Sequence, residues 1–446
     1  MPQNNDGYSV REQRGWYFYD FANSAFASTV VTLFLGPWLT VLARNAADAE
    51  GLVHPLGIPV DARSYWSYLI ALSVFTQVLF LPVIGGLADY SARKKLWLGL
   101  LAYVGAGATM GMFFLDGTRY LLGGALFLVA NLAFGASIVI YNAFLPEIAA
   151  EEDRDAVSSK GWGLGYLGGG LLLALNLLLY QNAERLGLDE GFAVRISLAS
   201  AGAWWAFFSL IPLAALRNRR PLKQTPEGGI PVAGSFLQLL KTVRELRKLP
   251  MTFLFLIAYL LYNDAIQAVI TLAGQFGSDY LKIPMADLTL AILMVQFVAF
   301  GGAMVFNELA KRITAKGAVM VALILWITLM FGVFFVKTTA HYFIAAALVA
   351  LIMGGSQALS RSIFSLMIPK GREAEFFSLY EISDKGTSWM APLIFGLTLQ
   401  FTGSYQLAIL SQIVFFGAGL ALLARVDVKR AAGEAALFAA PAAPGS

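Results

Sequence analysis

The chain has 446 residues, 58% of them hydrophobic and 13% charged, with a mean hydropathy of +0.66 and a formal net charge of +4. That balance excludes a soluble globular domain, because a folded sphere needs a polar coat that this composition does not supply. The lack of any cysteine excludes disulfides and thiolate metal sites.

The first fifteen residues, MPQNNDGYSVREQRG, are polar and do not have the make-up of a cleaved signal peptide, so the first apolar span directs insertion. Apolar runs then recur to the end of the chain, each long enough to cross roughly 30 Å of hydrocarbon. They place twelve spans at 16–42, 65–88, 95–115, 119–145, 160–180, 194–215, 251–275, 287–309, 317–336, 340–366, 376–400 and 405–425. These are helices rather than barrel strands, since they show no period-two alternation and a helix satisfies its own backbone in lipid.

Span one carries Asp20, Asn23 and Ser24, whose i, i+3, i+4 spacing puts them on one helix face. An ionisable group inside a span costs roughly 2.5–3.5 kcal/mol, so such a face turns to protein or water. Asp20 lies a turn or two from the end of its span, which suits a mouth or ion-pair residue; Asn23, one turn deeper, suits substrate contact. At 163–168, GLGYLG fits the dinucleotide fingerprint, but no strand precedes it and it lies in a span. The same stretch spaces Gly161, Gly165 and Gly169 four apart, a small face that lets another helix approach.

Residues 216–250 form the longest polar segment, with RNRRPLKQTPEGG and KTVRELRKLP, and part of 235–249 has the spacing of an amphipathic surface helix. The expected organisation is a six-helix bundle over 1–215, a linker over 216–250, a second bundle over 251–430 and a disordered Ala/Pro-rich tail over 431–446. Span seven, in LYNDAIQAVITL, presents Asn263, Asp264 and Gln267 near mid-span, at a point resembling that of Asp20 and Asn23 in span one. Weak internal symmetry of this kind is expected of transporters whose halves rock about a central site. Span ten adds Gln357 and Arg361, and span eleven adds Glu381, Asp384 and Lys385. A bridge from Arg361 to Glu381 or Asp384 would neutralise otherwise costly charges.

Of the 32 basic residues, 23 fall in segments on the side of the chain termini and 7 on the other, which places both termini in the cytoplasm. The same asymmetry accounts for the net charge and leaves no case for nucleic-acid binding. Trp16, Trp38, Trp66 and Trp97 lie near span ends, as interfacial anchors do. His54 and His341 fall outside or at the edge of spans and do not resemble a metal-ligand set.

Between spans two and three, GGLADYSARKK, with Gly85, Asp89, Arg93 and Lys94, resembles the loop signature of the major facilitator superfamily. It departs from the pattern at Tyr90 and Ala92, and in the second-half copy, NELAKRITAKG, Lys311 stands where Asp89 stands in the first. Further segments, YDFANSAFAS, YNAFLPEIA, SSKGWGLGYLGGG and YLLYNDAIQAVI, are similar to the vacuole-effluxer-like branch of unknown major facilitators, related to the fungal autophagy-linked vacuolar amino-acid exporter. The similarity covers essentially the whole chain.

The resemblance implies an all-α polytopic protein of two six-helix bundles around a central cavity lined by helices one, four, seven and ten. On that frame Asn23, Ser24, Asn263, Gln267 and Gln357 are substrate-contact candidates, and Asp264 and Asp20 are proton-coupling candidates. Asp89, Arg93, Arg361, Glu381, Asp384 and Lys385 are gate candidates, with Asp89 facing the positive dipole end of helix eleven. The expected function is proton-coupled secondary active transport, by alternating access, of a small polar or amphipathic, amino-acid-like solute. With no histidine inside, the proton carrier would be an acid whose pKa burial raises. A lipid or lysolipid translocase on the same fold, or a passive facilitator, is the alternative. No nucleophile, base and metal assemble into an enzyme site, and no cofactor is implied. The partners expected are the solute, protons and the bilayer, for a monomer in a bacterial inner membrane.

Overall fold

The computed structural model describes residues 8–221, 244–385 and 390–439. Its first half comprises α1 (Val10–Ala46), a two-stranded hairpin of β1 (Leu52–Val53) and β2 (Val60–Asp61), α2 (Tyr65–Tyr90), α3 (Lys94–Phe114), α4 (Tyr120–Ile148), α5 (Glu151–Gln181) and α6 (Glu190–Ala215). The second comprises α7 (Pro250–Gln275), α8 (Met285–Ile313), α9 (Ala315–Phe335), α10 (Thr339–Leu366), α11 (Glu373–Lys385), α12 (Met390–Thr402), α13 (Tyr405–Arg425) and α14 (Val428–Ala439).

Among the described residues, eleven helices are long and apolar enough to cross a membrane. The remaining crossing, expected as one helix over 376–400, is built from α11 and α12, with 386–389 outside the described residues. Large apolar side chains such as Phe75, Phe207, Phe401 and Val414 are exposed on the outside of the bundle, a coat that suits lipid and not water. Twelve crossings return the chain to the face on which it begins, called the terminal face below.

Local chemistry fixes the helix ends. Ser9, Asp189 and Thr338 accept the backbone N–H groups of Glu12, Phe192 and His341, each three residues on, as N-caps do. Inside α1, residues Phe26–Phe34 are wound as a π-helix, and the Leu35 N–H donates to the Val30 carbonyl five residues back. On the opposite face the hairpin ends in Asp61, whose carboxyl the side-chain and backbone hydrogen bonds from Arg63 pull down to about 2.

Close helix approach depends on small residues. The small face of α5 meets α1: a Cβ at Gly168 would stand 2.3 Å from the Phe21 carbonyl oxygen. The halves meet where α5 packs on α8 and α10, and where α11 packs on α2 and α4.

One expectation is corrected. Residues 431–439 are helical within α14, with Ala431 and Ala435 buried, because the alanines there form an apolar stripe that docks on the bundle; 440–446 lie outside the described residues. Of the expected amphipathic linker helix, 222–243 lie outside the described residues. Its described end is helical over 244–248, and Leu246 and Leu249 are buried there.

Candidate transport site and gate

Arg361, on α10 of the second half, is buried, and each of its hydrogen-bond partners belongs to the first half. Its Nη1 donates to Asp20 Oδ2 on α1 at 3.1 Å and to Asn142 Oδ1 on α4 at 3.3 Å. Its Nε and Nη2 donate to the hydroxyl and the carbonyl of Ser158 on α5, both at 2.9 Å. Aromatic rings complete the socket: the guanidinium carbon lies 4.8 Å from the Trp16 ring centre and 5.3 Å from that of Trp162. Tyr141 stacks on Trp16 at 4.2 Å and donates its hydroxyl to Asp20 Oδ2 at 2.8 Å. The planar five-donor fork of arginine is what allows one side chain to reach three helices.

The bridge expected from Arg361 to Glu381 or Asp384 is therefore replaced by the pair with Asp20. Glu381 is reached through Asn142, whose Nδ2 donates to Glu381 Oε1 at 3.1 Å. Asp384 turns to α7 instead, accepting from Tyr259 at 3.0 Å and from Asn263 Nδ2 at 2.6 Å. The Lys385 side chain lies outside what is described. Trp16, expected as an interfacial anchor, is fully buried and donates its Nε1 to the Tyr141 carbonyl at 2.8 Å, because it forms a wall of the arginine socket.

Nearer the terminal face, the buried Asp89 caps α11 from the other half. Its two carboxylate oxygens accept the N–H groups of Ala374 at 2.9 Å and Glu375 at 2.8 Å. A helix N-terminus supplies both free donors and a positive dipole end, so a carboxylate there is held twice over. A Cβ at Gly85 would stand 2.5 Å from the Ala374 carbonyl oxygen, so only glycine lets α2 come this near to α11.

The cation of this layer is Lys94, 2.8 Å from Glu147, 3.6 Å from Asp89 and 3.9 Å from Glu373. Arg93, grouped with Asp89 by the loop signature, is exposed and makes no ion pair among the described residues. Arg372 binds Glu375 at 2.6 Å and Glu245 at 2.7 Å, tying the described end of the linker to the start of α11.

Deeper in the bundle, α7 bonds to both α11 and α12. Asn263 donates to Asp384 at the end of α11, while Asp264 Oδ2 accepts the Ala391 N–H at the start of α12 at 2.8 Å. The other oxygens of Asn263 and Asp264, and Nδ2 of Asn23 on α1, are buried with no hydrogen-bond partner among the described residues. Buried polar atoms are nearly always satisfied, and these three are among several in the bundle that are not, Ser159 Oγ and Gln412 Oε1 being others. Gln357 accepts the Tyr166 hydroxyl across the halves at 2.6 Å. Ser24 is half-buried against Gly165, and Gln267 is half-buried one turn along α7 from Asn263.

Among the described residues, the hydrogen bonds between the halves are lopsided. Asp20, Asp89, Asn142, Ser158 and Arg154 all make theirs towards the terminal face. Towards the other face, Gln296 donates to Ser28 at 3.3 Å. The halves are clamped together at the terminal face.

Residues 8–436 match the family model described as vacuole effluxer Atg22 like. The chain belongs to that family. It is 32% identical to the uncharacterized MFS-type transporter YxiO of Bacillus subtilis, over 94% of this chain and 95% of that one. It is 26% identical to autophagy-related protein 22 of Saccharomyces cerevisiae, covering 95% of this chain and 92% of the relative. The proton:xylose symporter XylE shares the fold, with a TM-score of 0.69 at 11% identity, over 95% of this chain and 97% of XylE. The protein is an MFS-type transporter and a multi-pass integral membrane protein.

Proposed function

We propose that the protein is a secondary active transporter that moves a small, polar or amphipathic, amino-acid-like solute by alternating access, coupled to protons. One observation carries this reading: Arg361 of one half is held entirely by the other. A buried charge of this kind is tolerable only while its partners are complete, and separating the halves returns both Arg361 and Asp20 to water. Such a clamp has two favourable arrangements and few between, which is what alternating access requires. The leftover polar atoms of Asn23, Asn263 and Asp264 support a ligand with both hydrogen-bond donors and acceptors, as a zwitterionic solute has.

Asp264 is the proton carrier in this reading, since its carboxylate has one committed and one uncommitted oxygen. Asp20 acts at the clamp and couples its opening to charge. The excess of basic residues on the terminal face supports a cytoplasmic position for that face, with the protein working as a monomer in a bacterial inner membrane. The family's description as an effluxer agrees with transport of a cellular solute.

The test is flux into proteoliposomes of the purified protein, with a panel of amino acids and lysolipids, with and without a pH gradient. Saturable amino-acid uptake that rises with the gradient is expected. Transport of lysolipid alone, or amino-acid flux indifferent to pH, would reject the reading.

A further inference from the structure

The ends of α1 and α6 at the terminal face leave a groove of about 570 Å3 between them. Its floor is tight, since a Cβ at Gly15 would stand 2.2 Å from the Ala215 side chain. At its terminal end stand Arg11 and Arg14, one helical turn apart and both exposed. Neither guanidinium has an ion pair or hydrogen bond among the described residues, whereas Arg219 close by is paired with Glu12 and Glu147. Going deeper, α1 presents Phe18, and the antiparallel α6 presents Ala214, then Ile211 and Leu210. The groove is thus cationic where the bilayer has its headgroups and apolar along about 6–8 Å towards the bilayer centre. The N-terminal end of α1 adds its positive dipole end at the cationic mouth.

We propose that this groove is a binding site for one anionic phospholipid. The phosphate lies between Arg11 and Arg14, and an acyl chain runs along Phe18, Ile211 and Leu210. Two positive charges without a counter-ion among the described residues select a headgroup of net negative charge over a zwitterionic one, and the order of charge and apolar surface along the groove matches the order within the lipid. Basic surface residues elsewhere on the terminal face contribute diffuse attraction. Here a groove fixes where the chain lies.

Native mass spectrometry of the full-length protein in detergent, with added phosphatidylglycerol or phosphatidylcholine, tests the site. The wild-type protein should retain phosphatidylglycerol at least about fivefold better than phosphatidylcholine, and the double variant Arg11→Gln/Arg14→Gln should lose that preference. Both arginines are exposed and unpaired, so the variant should melt as the wild type does. Ala214→Trp, which fills the groove from an exposed position, should lower retention of both lipids. Arg312→Gln, an exposed arginine elsewhere on the terminal face, should change nothing. The proposal fails if the double variant keeps its preference, if Arg312→Gln loses as much, or if Ala214→Trp leaves retention unchanged.

Discussion

Asp20 and Arg361 stand 341 residues apart in the chain and 3.1 Å apart in space, on opposite halves of the molecule. Each neutralises a charge the other half has buried. Removing one partner of such a pair costs about 3–5 kcal/mol, because the charge left behind has no compensation. Asp20→Asn and Arg361→Gln should therefore open the terminal face. With the chain free of cysteine, spin labels at Ala92 and Arg312 report the distance across it. A longer distance is expected in both variants, and Arg361→Lys should not restore the short one, since an ammonium cannot reach Asp20, Asn142 and Ser158 together. Unchanged distances would show that the pair is scaffolding.

Asp89 makes a different kind of contact, with backbone rather than with a side chain. Asp89→Asn keeps one acceptor and loses the charge that faces the helix dipole, worth about 0.3–2 kcal/mol. The Ala374 and Glu375 amides should then exchange their hydrogens up to roughly thirtyfold faster. Protection equal to that of the wild type would mean that α11 is held there by packing alone.

The contrast between these two carboxylates shows what the sequence discloses. Hydropathy alone places the spans, because they follow from local pattern, and the family resemblance of the Gly85–Lys94 signature implies Asp89 beside the start of span eleven. The partner of Arg361 is not local. Glu381 and Asp384 were the nearer candidates along the chain, but the angle at which the halves pack hands Arg361 to α1. The arginine socket itself was unreadable: Trp16, Tyr141 and Trp162 lie on three helices, and a tryptophan near a span end looks the same whether it meets lipid or a guanidinium. The Asp264 contact with the Ala391 N–H was hidden as well, since it joins α7 to α12 across 127 residues of chain.

Glycine at position 85 gives a clean pair of variants. Gly85→Ala drives a Cβ to 2.5 Å from a backbone oxygen of the other half, whereas nothing lies within 4 Å of a Cβ at Gly86. Gly85→Ala should cost the clamped state about 1–3 kcal/mol, and Gly86→Ala should be neutral or slightly stabilising. Thermal melting alongside the label distances at Ala92 and Arg312 separates them. Equal behaviour of the two would place the α2–α11 contact elsewhere.

Asp264 carries the coupling prediction. In Asp264→Asn the amide oxygen still accepts the Ala391 N–H, so the protein should fold and exchange substrate, while accumulation driven by a pH gradient is lost. Asp264→Ala leaves that buried N–H without its acceptor and should destabilise the protein by about 1–3 kcal/mol. Wild-type accumulation by Asp264→Asn would return the residue to a structural role.

The π-wound stretch of α1, Phe26–Phe34, begins six residues beyond Asp20. Each bond in it closes a ring one residue larger than in an α-helix. A return to α pairing shifts the register by one residue and swings the side chains beyond it by about 100° about the helix axis. The outer part of α1, from Leu35 to Ala46, is thereby geared to the inner part through a slipping thread. A rotation of that kind would leave the Asp20 contact with Arg361 in place, since Asp20 lies on the inner side of the π-wound stretch.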